Sequence, residues 1–217
     1  MDSKVKTNMT ASQNWQQSDP RIFWGEIAPC SHVVQIYEDD SEFLHTLEDF
    51  VILGLEDGDS LVLIATERHL KAIEDRCSAK GFNMNALKKY GQYIAIEAEE
   101  MMSKFMVNGW PDEELFYTSV SEVLNNARKG GNKVRAFGEM VALMWANGQQ
   151  GATVRLEYLW HEFCKKEEFR LLCAYPKSGF TENAVNSIKT ICATHSKIIN
   201  GEESRYGRLY YTTPQYM

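Results

Sequence analysis

Gly58-Asp-Ser-Leu-Val-Leu-Ile-Ala-Thr-Glu-Arg-His69 carries the most informative pattern in the chain. Its centre, Leu61 to Ala65, is uninterruptedly apolar and is bounded by Asp59 and Thr66. A strand with one wet face alternates apolar and polar residues, so an unbroken run belongs to a strand covered on both faces, as at the centre of a parallel sheet. Upstream, Phe43, Leu44, Leu47, Phe50, Val51 and Leu55 recur at helical spacing and stop before Gly58. Downstream, Leu70, Ile73 and Cys77 mark a second helix, from about Glu67 to Ala79, with Gly81 placed to end it. Helix, doubly covered strand and helix in succession form the repeating unit of an α/β protein.

The same alternation extends in both directions. His32-Val-Val-Gln-Ile-Tyr37 is a β-branched run followed by the helix-starting residues Asp39, Asp40 and Ser41. Further strands are expected at Tyr93–Ile96, Lys133–Phe137 and Phe169–Tyr175. Between them lie the helical stripe of Phe116, Val120, Val123, Leu124 and Ala127, a short helix from Met140 to Ala146, and the stripe of Ala152, Leu156, Leu159, Trp160 and Phe163. A last helix is read from Thr181 to Ile199, with Ile191, Cys192, His195, Ile198 and Ile199 on one side. This order predicts a three-layer α/β sandwich with a mainly parallel central sheet and right-handed crossovers. Residues 1–28 read as a mobile polar arm, 29–203 as the domain, and 204–217 as a tyrosine-rich tail too short for a core of its own.

Composition narrows the function. In 217 residues, apolar side chains make up 44%, enough for a real core, and the formal charge of −7 argues against a surface that tracks nucleic-acid phosphates. No direct nucleic-acid binding is expected. The five cysteines are odd in number and lack C-x-x-C spacing, and they read as reduced core thiols. The N-terminal residues show no signal-peptide pattern, and no apolar run approaches the roughly 18 residues of a bilayer span. The expectation is a cytoplasmic protein with no membrane partner.

In open α/β sheets ligands bind beyond the carboxyl ends of the strands. After the strand at 61–65 comes Thr66-Glu67-Arg68, where a nucleotide-binding protein would carry a glycine-rich phosphate loop; neither G-x-x-x-x-G-K-[ST] nor G-x-G-x-x-G occurs anywhere. A bulky turn keeps backbone amides from a triphosphate, and Glu67 would repel it. After the strand at 133–137, Gly138 and Glu139 project toward the same crevice. Glu139 reads either as a ligand acceptor or base, or as a carboxylate that stabilises the start of the next helix. Glu157 and His161 lie one helical turn apart and flank Trp160, so they form either a pocket pair or a surface pair beside a core tryptophan. Cys192 and His195 offer too few ligands for zinc, and no metal is expected. Trp145 and Trp160 read as core residues or, if they line a cavity, as walls for a small apolar or aromatic ligand.

Ordered blocks of the chain resemble a known family. They are His32-Val-Val-Gln-Ile-Tyr-Glu-Asp39, Gly58 to Thr66, Phe137-Gly-Glu-Met-Val-Ala-Leu-Met-Trp145, Arg155-Leu-Glu-Tyr-Leu-Trp160, Leu172-Cys-Ala-Tyr-Pro176 and Ile191-Cys-Ala-Thr-His-Ser196. Together, over roughly residues 31 to 203, they are similar to the MEDS domain, the methanogen/methylotroph DcmR-type sensory domain. The resemblance implies a RecA/KaiC-like fold that has lost its nucleotide motifs. It also implies a sensory role in prokaryotic regulators and kinases, with small organic molecules as ligands. Carried over by position, His32, Tyr37, Thr66, Gly138, Glu139, Trp145, Glu157, Trp160, Tyr175 and His195 fall in pocket or core.

The expectation is therefore a non-enzymatic sensor without a cofactor. It would bind a small organic ligand through Tyr37, Thr66, Glu67, Arg68, Gly138, Glu139, Trp145, Glu157, Trp160 and His161. With too few residues before the match for a DNA-binding or kinase domain, it would act through a histidine kinase or transcription-regulator partner, or through homo-oligomerisation. The alternative is a residual nucleotide-hydrolysing RecA-like enzyme with Glu139 as base and Arg68 or Arg155 on phosphate.

Overall fold

The apolar run at 61–65 is a strand buried on both faces, and its alternate residues feed two separate cores. The computed structural model describes residues 15–180, 185–200 and 208–214. Its first half comprises β1 (Gln16–Ser18), α1 (Pro20–Glu26), β2 (His32–Tyr37), α2 (Asp40–Glu56), β3 (Ser60–Ala65), α3 (Glu67–Ala79), α4 (Met84–Lys89), β4 (Tyr93–Glu97) and α5 (Ala98–Ser103). A small hairpin of β5 (Met106–Val107) and β6 (Trp110–Pro111) leads into α6 (Glu113–Ala127), β7 (Val134–Gly138), α7 (Met140–Ala146) and α8 (Gln150–Lys166). The chain then forms β8 (Arg170–Pro176), α9 (Val185–Ala193), β9 (Lys197–Asn200) and β10 (Leu209–Thr212).

Among the described residues the main sheet has the order β1-β10-β9-β2-β8-β7-β3-β4. The strands from β9 to β4 run parallel, and β10 and β1 add an antiparallel edge. β7 and β8 fill the gap between β2 and β3, so the carboxyl ends of four central strands open on one side. Leu61, Leu63 and Ala65 pack with residues of α1 to α4, whereas Val62 and Ile64 pack with α5 to α9. The predicted three-layer α/β sandwich with a mainly parallel sheet is the observed architecture.

Local chemistry sets the helix starts. Asp39 caps α2 by accepting from the Ser41 and Glu42 amides at 2.8 and 3.0 Å, and Glu42 reaches back to the Glu38 amide at 2.9 Å. Gly58 then turns the chain with φ +78°, a conformation that favours glycine. Below that turn, Arg135 is fully buried; its Nε donates to Asp59 at 2.7 Å and a terminal nitrogen donates to Asp57 at 2.6 Å. A Cβ on Gly54 would stand 2.9 Å from the Arg135 Cδ, so the helix needs glycine there. This ion network ties α2 to β7 at the amino ends of the strands.

Four expectations change. Within the arm read as mobile, Gln16–Ser18 joins the sheet and α1 buries Phe23 and Trp24, the latter against Phe50 at 4.7 Å; residues 1–14 lie outside the described residues. Within the tail, Leu209–Thr212 is a sheet strand, while residues 204–207 and 215–217 lie outside the described residues. The last helix stops at Ala193, and Ile198 and Ile199 belong to β9, where β-branched residues and pairing with both β2 and β10 favour a strand. The Ser196 amide and hydroxyl bind the His32 carbonyl at 2.6 and 2.8 Å and fix the start of that strand. The expected helix residues 181–184 lie outside the described residues. Of the cysteines, Cys77, Cys164 and Cys173 are buried free thiols, Cys192 is half-buried, and Cys30 is exposed rather than in the core.

Candidate functional site

The carboxyl ends of β3 and β7 lie side by side, and the Glu139 amide donates to the Ile64 carbonyl at 2.8 Å. This turns the Glu139 side chain across to α3. Its Oε2 accepts from the Thr66 amide at 2.9 Å and the Thr66 hydroxyl at 3.2 Å, while Oε1 stands 2.8 Å from His69 Nδ1. Thr66 is the residue before α3, and its own side chain does not cap that helix. The positive end of α3 is thus served by an internal carboxylate, where a phosphate loop would serve a bound phosphate.

Around this carboxylate, Tyr37 is buried and stacks on Phe43 at 5.1 Å, and Phe43 meets the His69 ring at 4.9 Å. Burial, reinforced by the nearby Glu139 and Asp40 charges, holds the Tyr37 phenol above its ordinary pKa. Arg68 reaches outward to Asp40 at 2.5 Å, and Glu67 is exposed. Tyr37, Thr66, Arg68, Gly138 and Glu139 therefore gather at the carboxyl ends of the strands, with Asp40 and His69 added to them.

The remaining candidates lie elsewhere. Trp145 is buried, donates to the Gly179 carbonyl at 2.6 Å and packs on Phe180. Trp160 is a core residue edge-on to Phe116 at 5.0 Å. Glu157 does not pair with His161: it turns into the space between α8 and the sheet, while His161 is half-buried at the margin. An open groove of about 370 Å³ at the β1 edge, lined by Gln17, Ser18, Asp19 and Arg208, belongs to neither group.

Beneath α8 a second cluster forms. Alternation along β2 and β8 turns His32, Cys173 and Tyr175 to the α8 face, and the turn between α9 and β9 brings in His195. His32 Nε2 lies 3.3 Å from Cys173 Sγ and 3.5 Å from Glu157 Oε2. His195 Nε2 lies 3.5 Å from the same carboxylate oxygen, and the two imidazole centres are 3.9 Å apart. Tyr175 donates to Glu157 Oε1 at 2.5 Å, and His195 Nδ1 is 2.6 Å from the Ile191 carbonyl. His32 Nδ1, Glu157 Oε2 and His195 Nε2 have no hydrogen-bond partner.

Burial dominates the electrostatics of this cluster. It pushes the Glu157 carboxyl up to about 8 against the opposing Tyr175 hydrogen bond, and it pulls His195 down to about 3. It also lowers His32, helped by His195, and raises the Cys173 thiol and the Tyr175 phenol. Burial thus favours neutral imidazoles and a protonated thiol. Sequence reasoning singled out His32, Glu157, Tyr175 and His195 separately but did not join them to Cys173, because they come from four elements with no motif spacing.

A mainly parallel α/β sheet in which the start of the helix after β3 is met by the protein's own glutamate defines the class. The solved structures similar to this chain include a KaiC-like protein from the hyperthermophilic archaeon Pyrococcus horikoshii OT3. Identity is 11% and the TM-score 0.56, with 79% of this chain and 72% of that one covered. A second P. horikoshii OT3 protein, from a structural study, shares 12% identity at a TM-score of 0.54, covering 86% and 89% of the respective chains. A search of curated proteins finds no match. Residues 31–196 match the MEDS model, described as MEthanogen/methylotroph, DcmR Sensory domain, and the chain belongs to that sensory-domain family.

Proposed function

We propose that the protein is a non-catalytic sensory module of prokaryotic signal transduction. It binds a small organic molecule in the crevice bordered by Tyr37, Thr66, Arg68 and Glu139, and transmits occupancy to a regulator or kinase partner or to a second copy of itself. The observation that carries this reading is the Glu139 carboxylate on Thr66 and His69, which occupies the helix end that a nucleotide phosphate would need. Membership in a sensory-domain family supports it. Among the described residues no helix is long and apolar enough to cross a membrane.

A ligand that binds only the native state raises the melting temperature by mass action. Thermal-shift measurements with ATP and ADP, each with Mg²⁺, and with a panel of small halogenated and aromatic organics test the reading. Stabilisation by one or more organics with nucleotides silent is expected. Stabilisation by Mg-nucleotide alone, with turnover abolished in Glu139→Gln, would replace the sensor by a RecA-like enzyme.

A further inference from the structure

We infer that His32, Glu157, Cys173 and His195 form a closed binding site for one divalent transition-metal ion of the zinc type. The ligand atoms of these four buried residues lie within 4.8 Å of one another. The site is separate from the Glu139 crevice and does not depend on what that crevice binds.

The closest donor separations are those found around a metal, while the full set spans up to 4.8 Å, so binding would draw the outermost donors inward by up to about 1 Å. Tetrahedral coordination at zinc distances of about 2.0–2.3 Å places neighbouring donor atoms about 3.3–3.8 Å apart. A central water making hydrogen bonds of about 2.8 Å would spread them to about 4.6 Å. The contacts here are 3.3 Å from His32 Nε2 to Cys173 Sγ, and 3.5 Å from each of His32 and His195 Nε2 to Glu157 Oε2. Both of the latter contacts are too long for good hydrogen bonds and leave the Glu157 Oε2 without a partner.

The tautomer agrees with the spacing. His195 Nδ1 at 2.6 Å from the Ile191 carbonyl must carry its hydrogen, so the unpartnered Nε2 presents its lone pair to the unpartnered Glu157 Oε2. Tyr175 holds the other Glu157 oxygen. Backbone carbonyl to histidine and phenol to carboxylate are the outer contacts that orient metal ligands.

Charge completes the case. Two neutral imidazoles, a thiolate and a carboxylate total −2, which a divalent cation brings to zero within a fully buried site. Binding releases the Cys173 proton and any proton on Glu157 to solvent, so the step balances without a further reactant. Thiolate and imidazole donors select zinc, or cobalt or ferrous iron in the same geometry, over calcium or magnesium. Four protein ligands leave no open position, which is the form of a structural site; the ion would fasten the α9–β9 turn and α8 to the sheet.

The test uses the full chain purified under reducing conditions and titrated with Zn²⁺ and with Co²⁺. Expected results are one metal ion per chain by elemental analysis, together with tetrahedral ligand-field bands and a thiolate-to-cobalt charge-transfer band in the Co²⁺ form. Cys173→Ser should lose the charge-transfer band, His195→Gln should weaken binding at least tenfold, and Cys192→Ser should leave both unchanged. Circular dichroism and the chelated wild type report on folding separately. Absence of stoichiometric metal in the folded wild type, an octahedral Co²⁺ spectrum, or a charge-transfer band that survives Cys173→Ser would overturn the site. Stabilisation by an organic ligand at the Glu139 crevice is a different readout, so either idea can fail alone.

Discussion

Glu139 and Glu157 are both buried carboxylates, and their surroundings differ in kind. Glu139 is met by donors on both oxygens, from Thr66 and His69, and its position at the start of α3 adds a favourable helix dipole. Glu157 is met by one donor, Tyr175, on one oxygen, and by two imidazole nitrogens at 3.5 Å on the other. Burial alone does not separate the two residues. What separates them is that donors reach both oxygens of Glu139 but only one oxygen of Glu157, and a buried polar atom without a partner persists only where something else repays its desolvation.

The strongest way to break this contrast is to supply and remove the cation. Zinc at about a thousand times its dissociation constant should stabilise the native chain by about 4 kcal/mol, or about 8–16 °C in melting temperature for a domain of this size. Excess chelator should abolish the gain, and Glu157→Leu should show none. In chelator, Glu157→Leu should change the unfolding free energy by less than about 1 kcal/mol, since an apolar group replaces a poorly satisfied carboxyl at the expense of an orphaned Tyr175 hydroxyl. Equal melting curves for wild type with zinc and with chelator would make the two glutamates alike.

Glu139→Leu probes the other side of the contrast. It strips the acceptor from the Thr66 amide and hydroxyl and from His69, and should destabilise by about 2–3 kcal/mol in urea unfolding, with or without zinc. A loss that appeared only with zinc present would mean that the two sites are coupled. Tyr175→Phe acts more finely, because it keeps the ring and removes only the hydroxyl held by Glu157. Metal affinity should fall about 10- to 100-fold while the fold persists, as measured by competition with a chromophoric chelator; an unchanged affinity would show that the phenol does not orient the carboxylate.

How much of this was legible depends on how local each signal is. The run Leu61–Ala65 announced a central strand because continuous burial leaves its mark on consecutive residues, and Thr66–Arg68 with Glu139 pointed to the crevice because topology places strand ends together. β9 was hidden, because Ile198 and Ile199 fit helical spacing as well as a strand, and pairing with β2 and β10 is non-local. Phe23 and Trp24 were isolated apolar residues in a polar arm, and only their burial on the inner face of α1, against Tyr211 and Phe50, shows their role. The His32–Glu157–Cys173–His195 cluster had no motif to read: the residues sit on β2, α8, β8 and the α9–β9 turn. Glu157 seemed paired with His161 by its spacing, but it faces inward with the apolar stripe of α8, whereas His161 sits at the edge.

Arg68 gives the smallest effect on stability and the sharpest separation of scaffold from crevice. Its side chain is 76% exposed and its partner Asp40 42%, so solvent screens the pair and the ordering of two flexible side chains offsets most of its attraction. Arg68→Ala should therefore change the unfolding free energy by no more than about 0.5 kcal/mol and leave zinc stoichiometry untouched. If the crevice is the organic-ligand site, the same variant should reduce the thermal shift given by any ligand that contacts the guanidinium, above all one carrying an acceptor group. Unchanged stability with a reduced ligand shift would assign Arg68 to recognition. A destabilisation above about 1 kcal/mol would instead make the Arg68–Asp40 pair part of the scaffold that holds α3 against α2, and would move the crevice's ligand contacts to Tyr37 and Glu139.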